Sequence, residues 1–120
     1  MSTPAPPPGV DPTLTLKQVA RHLVAAETCA LRASGTAPDL GDVAVGAALL
    51  TSQVLRLLPP GEGVDDLVAP HVGHVGDVGA AAALLRDAER LTRTHPIEDF
   101  PPGTSAFVAD LCDLIAQAPA

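Results

Sequence analysis

Residues 70–95 have the sequence PHVGHVGDVGAAAALLRDAERLTRTH, the longest segment of the chain that fits a single helix. Pro70 suits the first turn of a helix, and Pro96 prevents the helix from continuing. Between the two prolines lies a run rich in alanine and leucine, which are among the strongest helix formers. The segment therefore predicts a helical fold.

One face of this predicted third helix is apolar, because small and aliphatic residues recur three or four positions apart. The residues predicted to be buried are Val75, Val78, Ala81, Ala82, Leu85 and Ala88, with Leu84 and Leu91 at the edge of the face. The other face is charged. Asp87 and Arg90 have i,i+3 spacing, and Glu89 and Arg93 have i,i+4 spacing, so two ion pairs are predicted on the solvated side.

Three further segments have the same periodicity and recognisable ends. The first is predicted from about Leu16 to Ala33 with Thr15 as N-cap, and the second from about Leu40 to Leu58 with Asp39 as N-cap. The last is predicted to end at about Ala118, with Thr104 or Ser105 as its N-cap. The buried face of the last helix is predicted to contain Phe107, Val108, Leu111, Leu114, Ile115 and Ala118. A loop at 97–103 precedes it, and Ile97 and Phe100 are predicted to pack inward.

The first two helices differ in how their apolar residues are distributed. In the first, the predicted buried face is Leu16, Val19, Ala20, Leu23, Val24, Ala30 and Leu31, with His22 and Cys29 on the opposite side. In the second, it is Leu40, Val43, Ala44, Ala47, Leu50, Val54, Leu55 and Leu58. Val45 and Leu49 point away from that face. A helix that is apolar on two sides is either central in its domain or part of a subunit interface.

Four amphipathic segments with short polar connections predict an all-α fold, an antiparallel up-down four-helix bundle over residues 13–118. Residues 64–69 can add a short fifth helical turn. Residues 1–12 contain five prolines, and this composition is typical of a disordered tail.

Composition excludes several classes of function. The net charge is −7 and the chain has one lysine and no Trp or Tyr, so neither nucleic acid nor an anionic membrane surface is an expected partner. The two cysteines follow no CxxC spacing, and the N-terminus lacks the features of a signal peptide. No apolar run is expected to reach the length of a membrane span. These features favour a cytoplasmic protein. The amino-acid bias is typical of a GC-rich bacterial genome and indicates no function.

The triplet repeat HVG-HVG-DVG at 71–79 contains the best candidates for metal ligands, His71, His74 and Asp77. Two histidines at i and i+3 can share a divalent transition metal on one helical turn. Asp77 is rotated about 120° from His71 in an ideal helix, so a further ligand would have to come from another segment. Close helix packing or a partner surface is the alternative role, because Gly73, Gly76 and Gly79 remove bulk at a cost of roughly 3 kcal/mol of helix propensity.

Glu27 is the other candidate, as a buried polar residue that could contact a cofactor or substrate. A buried carboxylate must find a partner or remain protonated, and such groups are frequent in functional sites. The alternative is that Glu27 reaches the edge of its face and pairs with Arg86, Arg90 or Thr51. His95, Glu98 and Asp99 lie together in one loop, but no catalytic motif accompanies them.

A non-enzymatic role is therefore expected. The leading hypothesis is a small helical protein–protein interaction module, an adaptor or accessory subunit that forms a homodimer, since the second helix is apolar on two sides. No cofactor is required by this hypothesis. The alternative is a helical bundle that binds a metal or small ligand through His71 and His74.

Overall fold

The computed structural model describes residues 11–35, 37–59 and 78–118. Its helices are α1 (Pro12–Ala33), α2 (Leu40–Leu57), α3 (Val78–Thr92) and α4 (Thr104–Gln117), with a 3₁₀ turn at Ile97–Asp99 before α4. No strand occurs in these ranges. The predicted all-α fold with four helices is confirmed. The predicted turn at 64–69, residues 70–77 of the predicted third helix and most of the Pro-rich tail lie outside the described residues.

Helix α1 begins at Pro12, four residues earlier than the sequence predicted. Asp11 is its N-cap, and the Asp11 carboxylate accepts a hydrogen bond of 2.9 Å from the Thr13 N–H. Thr15 was the predicted cap but already lies in the helix, where its N–H donates to the Asp11 carbonyl at 2.9 Å. Proline at the first helical position loses no hydrogen bond, because the N–H of that position has no partner within the helix. Pro12 can therefore begin α1, although the sequence prediction treated this proline as part of the tail.

Helix α4 is also capped differently from the prediction. Its N-cap is Gly103, whose φ of 97° lies in the left-handed region that favours glycine. Thr104 is the first helical residue, and its hydroxyl donates to the Pro101 carbonyl at 2.7 Å instead of capping a helix N–H. The Thr104 side chain is consequently buried in the turn between the 3₁₀ segment and α4.

Each helix packs against two others, in the pairs α1–α2, α1–α3, α2–α4 and α3–α4. The end of α3 meets the start of α1, since His95 Nε2 lies 3.0 Å from Thr15 Oγ1. Gln53 Nε2 donates to Asp110 Oδ2 at 3.0 Å. Nearer the start of α2, a Cβ on Gly46 would lie only 2.6 Å from Leu114 Cδ1, near the end of α4. Both α1–α3 and α2–α4 are therefore antiparallel pairs.

These contacts also give the order of helix directions. The connection at 34–39 has six residues, too few to span the length of α2, so α1–α2 is antiparallel as well. Consequently α2 and α3 run in the same direction, diagonally across the bundle. The up-down alternation expected for short connections is present between α1 and α2 and between α3 and α4. It is absent between α2 and α3, because α2 ends and α3 begins at opposite ends of the bundle.

The buried arc of α1 is displaced from its predicted position. Cys29 is only 1% exposed although it was expected on the solvated side, while Leu31 is 57% exposed and Val24 38% exposed although both were expected in the core. The reason is tertiary: α1 packs against α2 on one side and α3 on the other. The side toward Cys29 and Ala33 is therefore covered, and the side toward Leu31 is left open.

Burial in the other helices follows the apolar pattern, except that Leu55 of α2 is exposed and that three residues predicted in the buried face of α4 are only half-buried, namely Val108, Ile115 and Ala118. In α3, Ala81, Ala82, Leu85 and Ala88 are buried as predicted, and the predicted pairs Arg90–Asp87 and Arg93–Glu89 form at 3.1 and 2.8 Å. Phe100 is buried, as expected. Ile97 and Leu55 were predicted to pack inward but are exposed.

Candidate functional site

The exposed large apolar side chains of the described residues are concentrated on α1 and α2. Five of the six lie there: Val24, Leu31, Val45, Leu49 and Leu55. We call these five residues the α1/α2 face. The sixth, Ile97, lies in the 3₁₀ turn before α4. Exposed apolar residues scattered over a surface are ordinary, but their concentration on one pair of helices makes this face the candidate functional surface.

A groove of about 280 Å³ runs between the two helices of this face. Its lining residues are Glu27, Leu31, Ala44, Val45, Ala48, Leu49 and Ser52. Val45 and Leu49 are 61% and 64% exposed, so they form the rim of the groove and do not fill the core. The prediction that these two side chains point away from the buried face of α2 is confirmed.

Glu27 lies on the wall of this groove and is half-buried, not enclosed in the core as expected. The partial exposure of Glu27 follows from the displaced buried arc of α1. Glu27 was predicted at the centre of the buried face, and the displacement turns this position toward the opening of the groove. None of the predicted partners, Arg86, Arg90 and Thr51, forms a hydrogen bond or an ion pair with Glu27. The Thr51 hydroxyl donates to the Ala47 carbonyl at 2.8 Å, and Arg90 pairs with Asp87. Glu27 and Ser52 are therefore the polar residues of an open, mainly apolar groove.

A second groove, of about 240 Å³, lies between α2 and α4 and is acidic. Asp42, Asp110 and Asp113 line it together with Leu49, which borders both grooves. Leu49 is thus at the centre of the outward surface of α2. Asp42 and Arg56 are exposed near the two ends of the same surface. The outward side of α2 is apolar in its middle and charged at both ends.

The predicted metal ligands His71, His74 and Asp77 lie outside the described residues. Within the described residues, no group of three or more His, Cys, Asp and Glu side chains is arranged to hold a metal ion. The metal site of the triplet repeat therefore stays a prediction from sequence.

The metal hypothesis predicts that zinc binds the wild-type protein and that replacing both His71 and His74 with alanine removes the binding. Zinc affinity should also fall as the pH is lowered through the range in which histidine protonates, because the ligand is the neutral imidazole. Isothermal titration calorimetry with zinc measures both effects. His22→Ala is the matched control, since it removes a histidine at another place in the chain. Equal zinc uptake by the wild type and the double variant would exclude His71 and His74 as ligands.

The two described histidines have local structural partners. His22 was expected on the surface but is half-buried, and its Nδ1 donates to the Gln18 carbonyl at 2.8 Å. His95 contacts Thr15 and also meets the Phe100 ring edge-on, with the ring centroids 5.6 Å apart. This places His95 as a link between the end of α3, the start of α1 and the following loop. Its neighbours Glu98 and Asp99 are exposed in the 3₁₀ turn.

The two cysteines lie in opposite environments. Cys29 is buried against the bundle and Cys112 is exposed on α4. Burial raises the pKa of the Cys29 thiol above its ordinary value, and the nearby Arg32 guanidinium offsets part of the rise. A buried thiol whose pKa is raised is a poor nucleophile, so Cys29 is a packing residue.

Helix α2 is the one helix in the described ranges whose length and apolar composition would allow it to cross a membrane. The expectation that no segment reaches this limit is therefore corrected for α2. Six of its residues are buried in the bundle. A core helix of a bundle also meets the criteria of length and apolar composition when its outward side is apolar, as that of α2 is.

No family model, no curated protein and no solved structure matches the chain.

Proposed function

We propose that the protein is a protein–protein interaction module that self-associates through the α1/α2 face. The observation that supports this most directly is that five of the six exposed large apolar side chains in the described residues lie on that face. Burying such side chains between two proteins is favourable by roughly 25 cal/mol per Å² of apolar surface. Leu49 and Val45 contribute most, since they are the most exposed of the five.

The composition of the face fits contact with a protein better than contact with a small molecule. The groove between α1 and α2 is open to solvent, and Glu27 and Ser52 are the polar residues of its lining. Sites for small ligands enclose most of the ligand surface and contain several convergent polar groups. Protein interfaces instead combine an apolar centre with a polar rim, which is the arrangement of Leu49 and Val45 between Asp42 and Arg56.

The test is the oligomeric state of the Leu49→Glu variant. The wild type is expected to be a dimer, and Leu49→Glu is expected to weaken dimerisation by roughly 100-fold or more, because a carboxylate would be buried without a partner at the centre of the interface. Sedimentation equilibrium over a series of protein concentrations measures the dissociation constant.

Ile97→Glu is the matched control, since it introduces the same charge at Ile97, which among the described residues is the one large exposed apolar residue outside the face. It should dimerise like the wild type. A wild-type protein that stays monomeric up to about 200 µM would contradict self-association. A Leu49→Glu variant that dimerises like the wild type would show that the α1/α2 face is not the interface.

A further inference from the structure

The outward side of α2 has a regular order of residues along its length. Asp42, Val45, Leu49, Ser52 and Arg56 are spaced three or four positions apart, which places them in one row along the helix. All five are exposed. We call these residues the α2 row. Its apolar members are in the middle, and a charge of opposite sign stands at each end.

We propose that the partner of this surface is a second copy of the chain, and that the two α2 helices pack antiparallel about a twofold axis at Leu49. In this dimer Asp42 of each copy lies beside Arg56 of the other. The proposal rests on the proposed function above, which already names a second copy as the partner, and it adds which helices pair and in what orientation. It makes the α2 row an isologous interface, in which the same surface is used by both copies.

The positions of the charges support this register. Leu49 is seven residues from Asp42 and seven residues from Arg56. A twofold axis that crosses α2 at Leu49 reverses the second helix and places position 56 opposite position 42 at both ends. Each charge would then be about 10 Å along the helix from the axis, at the rise of an α-helix. Two ion pairs form at once, and the two Leu49 side chains meet between them.

The same charges oppose other arrangements of the two helices. A parallel pair in register would place Asp42 against Asp42 and Arg56 against Arg56, so both ends would repel. A shift of the antiparallel pair by one turn would separate the charges from their partners and move Leu49 off the axis. Charged residues that flank an apolar row are known to determine orientation and register in paired helices.

Neither charge is already used in an ion pair with another described residue. The Arg56 side chain donates through Nε to the Ser52 carbonyl of its own helix, at 3.3 Å, and both residues are exposed. Asp42 in the first turn and Arg56 in the last turn also interact favourably with the helix dipole. That effect explains the sign of each charge, but it does not require both to lie in one row with Leu49. The experiment must therefore separate the dipole effect from pairing between copies.

Exchanging the charges at positions 42 and 56 separates the helix-dipole effect from pairing between the two copies. Asp42→Arg alone and Arg56→Asp alone should each weaken dimerisation by about tenfold or more, because two attractive contacts become two repulsive contacts. An equimolar mixture of the two variants should form a heterodimer with affinity within about threefold of the wild-type dimer, since both ion pairs are restored across it. The double variant Asp42→Arg/Arg56→Asp should also dimerise, although it retains both unfavourable dipole interactions.

Native mass spectrometry of the mixture, with one variant labelled with ¹⁵N, identifies the heterodimer by its mass. Far-ultraviolet circular dichroism checks that each variant remains helical. Single variants that dimerise like the wild type, or a mixture without preferential heterodimer, would overturn the antiparallel α2 pairing. If Leu49→Glu still abolished dimerisation in that case, the proposed function would stand with another orientation. If Leu49→Glu had no effect, the proposed function itself would fail.

Discussion

Replacing Leu23 with alanine is expected to lower the free energy of unfolding by about 2–5 kcal/mol, the largest effect on stability that we predict for one substitution. Leu23 is fully buried at the middle of α1, which packs against both α2 and α3. The core contains many alanines and only two phenylalanines, Phe100 and Phe107. Each large aliphatic side chain therefore supplies a considerable share of the buried apolar surface.

The control for this substitution is Leu31→Ala, the same change in the same helix at a side chain that is 57% exposed. Its effect on the monomer should be within about 0.5 kcal/mol. Urea unfolding of both variants measures the difference. Protein concentration must be varied, because dimerisation through the α1/α2 face stabilises the folded state by mass action and would make the Leu31→Ala result concentration-dependent. Equal losses in the two variants at low concentration would contradict the displaced arc of α1.

Thiol labelling is expected to distinguish the two cysteines by a very large factor. Cys112 is exposed and should react with a disulfide reagent such as Ellman's reagent at the rate of a free thiol, whereas Cys29 is 1% exposed and should react only when the bundle opens. For a domain of ordinary stability, opening limits labelling of Cys29 to a rate at least about 10³-fold slower. The pKa of Cys29, raised by burial, adds to this protection because the thiolate is the reactive form.

One thiol per chain should therefore react rapidly in native buffer, and two should react in strong denaturant. The Cys112→Ser variant isolates the slow reaction of Cys29, and the Cys29→Ala variant should retain the fast reaction alone. Rapid labelling of Cys29 in native Cys112→Ser protein would place this thiol on the surface. Such a result would agree with the periodicity of α1, which predicts Cys29 on the solvated side.

The helical class followed from local properties of the chain. The periodicity of Ala81, Leu85 and Ala88 was sufficient to place the buried side of α3, because that helix presents one continuous side to the bundle. The ion pair between Glu89 and Arg93 was likewise predictable, since residues four positions apart are always neighbours on a helix. The exposed positions of Val45 and Leu49 also followed from spacing alone.

Other features depended on which helices meet. Spacing placed Leu31 and Cys29 on the wrong sides of α1, because no local pattern states that two helices will cover the side toward Cys29. The same displacement opened a groove at Glu27, where the sequence indicated a buried carboxylate. The cap at Asp11 was missed for a local reason: the proline at position 12 was interpreted as the end of the tail and not as the first residue of α1.

By itself, the sequence determined that the chain forms four helices, where most of them end and that α2 has an apolar outward side, since these properties depend on side chains that are close along the chain. Only the tertiary structure decided which side of α1 is buried, that α2 and α3 run in the same direction, and that Leu31 of α1 joins Val45 and Leu49 of α2 in one surface. The physical reason is that burial depends on contacts between helices distant in sequence, and periodicity within one helix does not specify its neighbours.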